Sequence, residues 1–148
     1  MAETVVLSKI LNVREKEKNE AQKAYHQAID LFENVANQLY SLLKKKEAAE
    51  ESYEGYIHTT VSLDKIRGQL SYIERLNKQI IQLQQEVQYA RTEMEMKQLK
   101  LTDAYVEVKK FEKIIGLRKE SAEETLKRAE KIAMDEISVQ QYLSYKNR

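Results

Sequence analysis

Two histidines are the residues best suited to acid–base chemistry or metal binding. His26 and His58 lie far apart in the sequence, and neither has a second histidine at the spacing with which a helix holds zinc. The carboxylates fall mostly in runs of mixed charge, and no Glu-x-x-His pair occurs. We therefore predict that both histidines are solvated surface residues and that the chain holds no metal.

Two serine–lysine pairs match a catalytic spacing. Ser41 with Lys44, and Ser62 with Lys65, have the S-x-x-K pattern of penicillin-binding enzymes, but the S-D-N and K-T-G elements of such sites are missing. The three glycines are isolated, so no glycine-rich phosphate loop is present. The sequence therefore predicts a protein that is not an enzyme and needs no cofactor.

The composition indicates which secondary structure carries these side chains. The 148 residues include no proline and no cysteine, so turns have few sites and disulfides have none. Charged residues make up 33% of the chain, with 25 basic and 24 acidic side chains. This balance argues against nucleic-acid binding, which normally needs a basic excess. The composition is typical of long helices.

The N-terminus and the hydropathy pattern bear on localisation. An early acid and a short apolar run ending at Ser8 and Lys9 do not form a signal peptide. No stretch approaches the roughly 18 apolar residues of a membrane span. We expect a cytoplasmic protein with no direct membrane insertion.

The second half of the chain has the clearest repeat. Apolar residues lie seven positions apart, a spacing that keeps one helix face against a partner when helices supercoil. This first series is Ile66, Ile73, Ile80, Val87, Met94, Leu101, Val108 and Ile115. Three residues after each comes a second series: Gln69, Leu76, Leu83, Ala90, Lys97, Ala104, Phe111 and Arg118. The repeat predicts a coiled coil.

The first half of the chain has a less regular apolar stripe. Its best helical spacing runs through Ile10, Val13, Glu17, Ala21, Ala24, Ala28, Leu31, Val35, Leu39 and Leu42. The stripe weakens where it passes Glu17 and several alanines. Small residues there would let a partner helix approach closely.

A break is expected between the two halves. Gly55 suits a helix end, the β-branched cluster at 59–61 weakens helix propensity, and Ser62 could cap the next helix. We predict one all-α domain over residues 1–148, an antiparallel two-helix coiled-coil hairpin. Helix one would span about 5–54, the turn about 55–62, helix two about 63–134 and a C-terminal tail 135–148. The alternative is one continuous helix that forms a parallel homodimer.

Two sets of side chains could form protein interfaces. If the chain turns back, helix one begins near residues 110–115, and the C-terminal stretch beyond has little partner. Its apolar residues, Ile132, Met134, Ile137, Val139 and Leu143, indicate either a docking element or a frayed helix. Tyr40, Tyr53, Tyr56 and Tyr72 lie towards the turn, where they either form an interface or simply flank the seam.

A set of motifs, in order along nearly the whole chain, resembles the flagellar export protein FliJ family, especially its bacillus-type members. These motifs are Leu7–Lys16, Gln38-Leu39 with Leu42, Tyr72-Ile73-x-x-Leu76-x-x-x-Ile80, Val106–Lys113 and Met134-Asp135-Glu136-Ile137. The resemblance implies an antiparallel two-helix coiled coil, similar to the central stalk of rotary ATP synthases. It implies a non-enzymatic component of the flagellar type III export apparatus, peripherally associated with the inner face of the membrane at the flagellar base.

The resemblance also implies partners. The end carrying both termini would enter the ring of the export ATPase FliI, with Leu7, Ile10, Leu11, Met134 and Ile137 as the ring-binding residues. The middle of both helices would bind the export gate protein FlhA through Gln38, Leu42, Tyr72 and Leu76. Lys45, Ala49, Gln79 and Leu83 occupy other positions of that surface but depart from the family's residues. Export chaperones are a further implied partner. The alternative function is a generic cytoplasmic coiled-coil scaffold or chaperone.

Overall fold

A computed structural model describes residues 2–147, and over this range the chain is two long helices. Helix α1 spans Ala2–His58 and helix α2 spans Leu63–Lys146. The described residues form no strand, so the predicted all-α fold class is confirmed. The alternative of one continuous helix is wrong, because the helix is interrupted between 58 and 63. The stretch predicted as a tail is helical as far as Lys146.

The chain divides into two compact units. Unit 1 comprises Met1–Lys18 with Asp103–Arg148, and unit 2 comprises Asn19–Thr102. Side-chain contacts between the helices give their direction within each unit. In unit 1, Glu3 forms an ion pair with Arg118, and Arg14 lies over the ring of Phe111.

The contacts of unit 2 follow the same order. Arg91 lies over the ring of Phe32, and nearer the turn the Gln69 side chain donates a hydrogen bond to the Ala49 carbonyl. Residue numbers rise along α1 as they fall along α2, so the two helices are antiparallel within each unit. The ion pair between Glu3 and Arg118 sets the start of α1 a few residues past the predicted 110–115.

The core of both units follows the repeat of α2. Leu76, Ile80 and Ala90 are buried in unit 2, and Val108 and Ile115 are buried in unit 1. The other members of the first series are all half-buried, and Arg118 is the one exposed member of the second series. The packed face predicted for helix two is therefore the face that packs.

The packed face of α1 differs from the predicted stripe. Val13 and Leu31 are about half exposed, at 52% and 51%, and Glu17 is also exposed. The other seven residues of the stripe are half-buried or buried, as predicted. One series of such residues recurs strictly every seven positions along α1: Leu7, Arg14, Ala21, Ala28, Val35, Leu42, Ala49 and Tyr56. The prediction chose Val13 because it is more apolar than its neighbour Arg14.

Arg14 can occupy the packed face because its two ends differ in polarity. The aliphatic stem packs between the helices, as long basic side chains commonly do. The guanidinium lies 5.9 Å from the centroid of the Phe111 ring and 3.1 Å from a carboxylate oxygen of Glu17. These two contacts offset part of the loss of water around the charge, while the Nε atom of Arg14 is buried without a hydrogen-bond partner.

The turn between the helices is shorter than predicted. Gly55 lies inside α1 and has no positive φ, so the prediction that it ends the helix in a left-handed conformation is wrong. The Thr59 hydroxyl donates to the Gly55 carbonyl at 3.0 Å and satisfies one of the last free acceptors of α1. The Ser62 carbonyl accepts from the Lys65 and Ile66 amides and so begins α2.

The last stretch of α2 has no cover from α1 among the described residues. Every residue from 116 to 147 is exposed, and the α2 residue Arg118 already lies beside Glu3 at the start of α1. We call residues 119–146 the end segment. No helix within residues 2–147 is both long enough and apolar enough to cross a membrane.

One ion pair lies outside the packed face. On the surface of unit 1 the Lys109 ammonium lies 3.4 Å from a Glu112 carboxylate oxygen, and this hydrogen bond, together with the negative charge, raises the pKa of Lys109. Because Lys109 is fully exposed, water screens the pair. We attribute the stability of the helix pair to its buried apolar residues.

The repeat of α2 makes neighbouring isoleucines unequal. Ile80 is 5% exposed and Ile81 is 57% exposed. We expect Ile80→Asp to lower the free energy of unfolding by roughly 2–5 kcal/mol, because it buries a carboxylate. Ile81→Asp is the matched control and should cost less than about 1 kcal/mol. Thermal and urea melts followed by circular dichroism measure both, and equal losses would contradict the observed face.

The corrected face of α1 is tested with two valines. Val35 is 9% exposed, whereas Val13, which the sequence placed in the seam, is 52% exposed. Val35→Lys should destabilise the protein by about 2–4 kcal/mol, and Val13→Lys by no more than about 0.5 kcal/mol. If the two midpoints in urea shifted equally, the strict seven-residue face of α1 would be refuted.

Candidate functional site

The residues with catalytic potential do not form a catalytic site. His26 and His58 are both exposed. Of the two serine–lysine pairs, the first has its Lys44 ammonium 5.5 Å from the ring centroid of Tyr40 on the same helix. In the second pair, the Ser62 carbonyl accepts the hydrogen bonds that begin α2. Among the described residues, no cluster of three His, Cys, Asp or Glu side chains could hold a metal ion. The remaining candidate sites are surfaces for binding proteins.

Part of the predicted gate-binding set lines a groove in unit 2. Gln38 and Leu42 lie one turn apart on α1 and form one wall, with Gln38 exposed and Leu42 half-buried. The facing wall belongs to α2 and consists of Gln79, Gln82, Leu83 and Glu86. Gln79 and Leu83 are two of the positions at which this chain departs from the family's residues. The groove is therefore lined both by residues that match the family's gate-binding surface and by residues that differ from it.

The other two predicted gate-binding residues have unequal access to solvent. Tyr72 is 36% exposed, and the Arg75 guanidinium lies 5.7 Å from its ring centroid. Leu76 is only 3% exposed. Tyr72 can therefore meet a partner directly, whereas Leu76 lies in the core of unit 2 and supports the surface from beneath.

The groove extends further along unit 2 than the predicted residues indicate. Its next section is lined by Leu31, Val35, Gln82, Gln85, Glu86, Tyr89 and Ala90. Leu31 and Tyr89 are large and exposed, Tyr89 at 68%. Neither residue was predicted to line a binding surface, because the helical spacing of α1 places Leu31 in the seam and Tyr89 belongs to no predicted set. The signal for Tyr89 was present, since it precedes Ala90 of the second series and so falls outside the packed face.

The groove lies on one side of the helix pair, and the Phe32 ring lies elsewhere on α1. There the Arg91 guanidinium of α2 covers the Phe32 ring of α1 at 5.7 Å from the centroid. This contact closes the joint between the helices with a charged group.

The residues predicted to bind the ATPase ring all belong to unit 1, but they fall into two groups. Leu7, Ile10 and Leu11 are half-buried near the start of α1, where that helix pairs with α2. Met134 and Ile137 are exposed, at 69% and 54%, on the end segment. Met134 lies 16 residues beyond Arg118, or about 24 Å along the helix. The two groups are therefore separate patches of unit 1.

Comparison with known proteins gives a family match along nearly the whole chain. Residues 4–147 match the family described as "Flagellar FliJ protein". The chain is 34% identical over 143 residues to the Flagellar FliJ protein of Bacillus subtilis (strain 168), an alignment that covers 97% of each chain. No solved structure matches the chain. The match spans both helices and nearly the full length, and the chain therefore belongs to the FliJ family, the non-enzymatic components of flagellar protein export.

Proposed function

We propose that the chain joins the export ATPase FliI to the export gate protein FlhA. The ATPase ring binds the patches of unit 1, and the gate binds the groove and Tyr72 of unit 2. The protein acts in the cytoplasm, at the inner face of the membrane below the flagellum, where it also receives export chaperones. The two proposed surfaces belong to different units of the chain.

The observation that carries this proposal is the exposure of apolar side chains on the end segment. Large apolar residues on a surface commonly mark a protein interface. Met134 and Ile137 lie three residues apart on one helix face and are free of contact with α1. A ring of subunits around this segment would remove both side chains from water. The nearly equal numbers of acidic and basic residues favour a partner that binds through apolar contact over an anionic membrane surface.

The groove of unit 2 suits a partner that buries an aromatic anchor. Tyr72 offers a large flat surface with little rotamer freedom, which is typical of residues that dominate interfaces. Gln38, Gln79 and Gln82 provide amide donors and acceptors beside it. The hydrogen bonds of the glutamine amides would orient the bound partner, and burial of the Tyr72 ring would supply most of the binding free energy.

The ATPase contact is tested by stimulation of purified FliI. The wild-type chain should raise ATP hydrolysis, and the double substitution Met134→Lys with Ile137→Lys should reduce the stimulation about tenfold or more, because it removes two apolar contacts. Lysine retains the helix. Val106→Lys is the control, since Val106 is an exposed apolar residue of unit 1 outside the predicted set. Undiminished stimulation by the double variant would refute the placement of this site.

The gate contact is tested by binding to the purified cytoplasmic part of FlhA. Tyr72→Ala should weaken binding by about 2 kcal/mol, or roughly thirtyfold, while FliI stimulation stays at the wild-type level. Tyr105→Ala removes an equivalent ring from unit 1 and should leave gate binding unchanged. Loss of both activities in Tyr72→Ala, with an altered helical melt, would mean that Tyr72 stabilises the fold and does not bind the gate.

A further inference from the structure

The packed face of α2 continues into the end segment, where α1 no longer covers it. Seven residues after Ile115 comes Ala122 and then Ala129, which extend the first series. The first series then passes through Glu136 to Leu143, and the second series continues through Thr125, Ile132 and Val139. The side chains of Ile132 and Val139 are 60% and 57% exposed. A helix face with the spacing of a coiled coil therefore lies open to solvent.

This open face has the shape of a contact surface. Ile132 and Val139 line a shallow groove together with Asp135, Glu136 and Gln140. Leu143 follows seven residues after Glu136 on the same face and is 51% exposed. The face thus combines large aliphatic side chains in its second half with alanines in its first half.

We propose that the end segment binds the end segment of a second copy of this chain, in antiparallel orientation. In an antiparallel pair, residues of the first series face residues of the second series in the partner helix. Ala129 then faces Ile132 of the second copy, and Ala122 faces Val139 of the second copy. By symmetry each pairing occurs twice. In these layers a small side chain lies opposite a large one, so the two helices can approach closely there. In the layer between them, Thr125 faces Glu136 of the second copy.

Charged residues that flank the face match in the same alignment. Arg128 lies beside Asp135 of the second copy, and this ion pair also occurs twice. On the other flank, Leu126 faces Ala133 of the second copy, which again pairs a large residue with a small one. Arg128 and Asp135 are both exposed, so they are accessible for this contact.

Other alignments of the two end segments are disfavoured by their charges. A shift of one heptad in one direction brings Asp135 beside Asp135 and sets Ile132 against Glu136. A shift in the other direction brings Arg128 beside Arg128. A parallel arrangement places the two Glu136 carboxylates together on the packed face. Like charges in contact cost free energy, so the antiparallel alignment with Arg128 beside Asp135 is selected.

In the proposed dimer Met134 lies away from the second copy. Met134 follows Ile132 by two residues and so points roughly 200° around the helix from it. The dimer goes beyond the proposed function, and because a ring that surrounds the end segment would displace the second copy, the dimer forms in the chain that is free of FliI. The paired region of about 25 residues is roughly 37 Å long. An interface of this length is at the small end for specific complexes, so we expect a reversible dimer.

The experiment is sedimentation equilibrium of the full chain over a wide concentration range. The mass should rise with concentration from 17.4 kDa toward twice that value. Ile132→Lys should abolish the rise, whereas Met134→Lys, on the opposite side of the helix, should leave it unchanged. Circular dichroism verifies that each variant keeps its helix content.

Charge exchange tests the alignment itself. Arg128→Glu and Asp135→Lys should each weaken the dimer about tenfold, because each places like charges together twice. The double variant Arg128→Glu with Asp135→Lys should restore the dissociation constant to within about threefold of wild type. A mass of 17.4 kDa at every concentration would overturn the proposal. A dimer insensitive to the single exchanges, or one that the double exchange fails to restore, would overturn it equally.

Discussion

A single narrow stripe of side chains on each helix holds this protein together. Two helices in isolation touch along one line, so each helix can bury only the residues that recur at the heptad spacing. The buried set is accordingly short: Val35, Ala49, Leu76, Ile80, Ala90, Val108 and Ile115. The residues beside them are half-buried, and most of the remaining described residues are exposed. Two helices paired in this way leave residues 2–147 without an enclosed interior that could shield a reaction from water.

The stripe is not uniformly apolar, and its polar positions are supported by specific contacts. Arg14 lies over Phe111 in unit 1, and Arg91 lies over Phe32 in unit 2. Both phenylalanines of the chain are thus covered by an arginine of the opposite helix. Near the turn, Gln69 reaches the Ala49 carbonyl, and the Lys65 ammonium lies 5.7 Å from the Tyr56 ring centroid. Contacts of defined geometry at these positions favour one alignment of the helices over alignments shifted by a turn.

The same repeat also explains where binding surfaces occur. In unit 2 both helices are present, and the side chains just outside the stripe form the walls of a groove, with Leu31 and Tyr89 exposed beside Gln38 and Leu42. In the end segment only α2 is present, so the stripe itself is exposed. Under the two proposals above, a partner of unit 2 would bind between two helices, and a partner of the end segment would lie where α1 does not reach.

Much of this arrangement followed from the sequence alone. The strict repeat from Ile66 to Ile115 determined the packed face of α2, and the scarcity of glycine and proline determined that the chain is helical. The order of short motifs indicated the family. These features are local, because each depends only on spacing within one helix. The packed face of α1 was not determined in this way, since Val13 and Arg14 are neighbours and hydrophobicity alone favours the valine.

Tertiary structure decided the features that depend on which residues of one helix meet those of the other. Pairing with Phe111 makes Arg14 a packed residue, and pairing of the helices leaves Leu31 outside. The exposure of Tyr72 and the burial of Leu76 likewise follow from the position of α1, although both residues belong to one sequence motif. Periodicity gives the angle of a side chain around its own helix. The register of one helix against the other depends on the way in which many side chains of both helices pack together, so it cannot be predicted from the spacing within either helix alone.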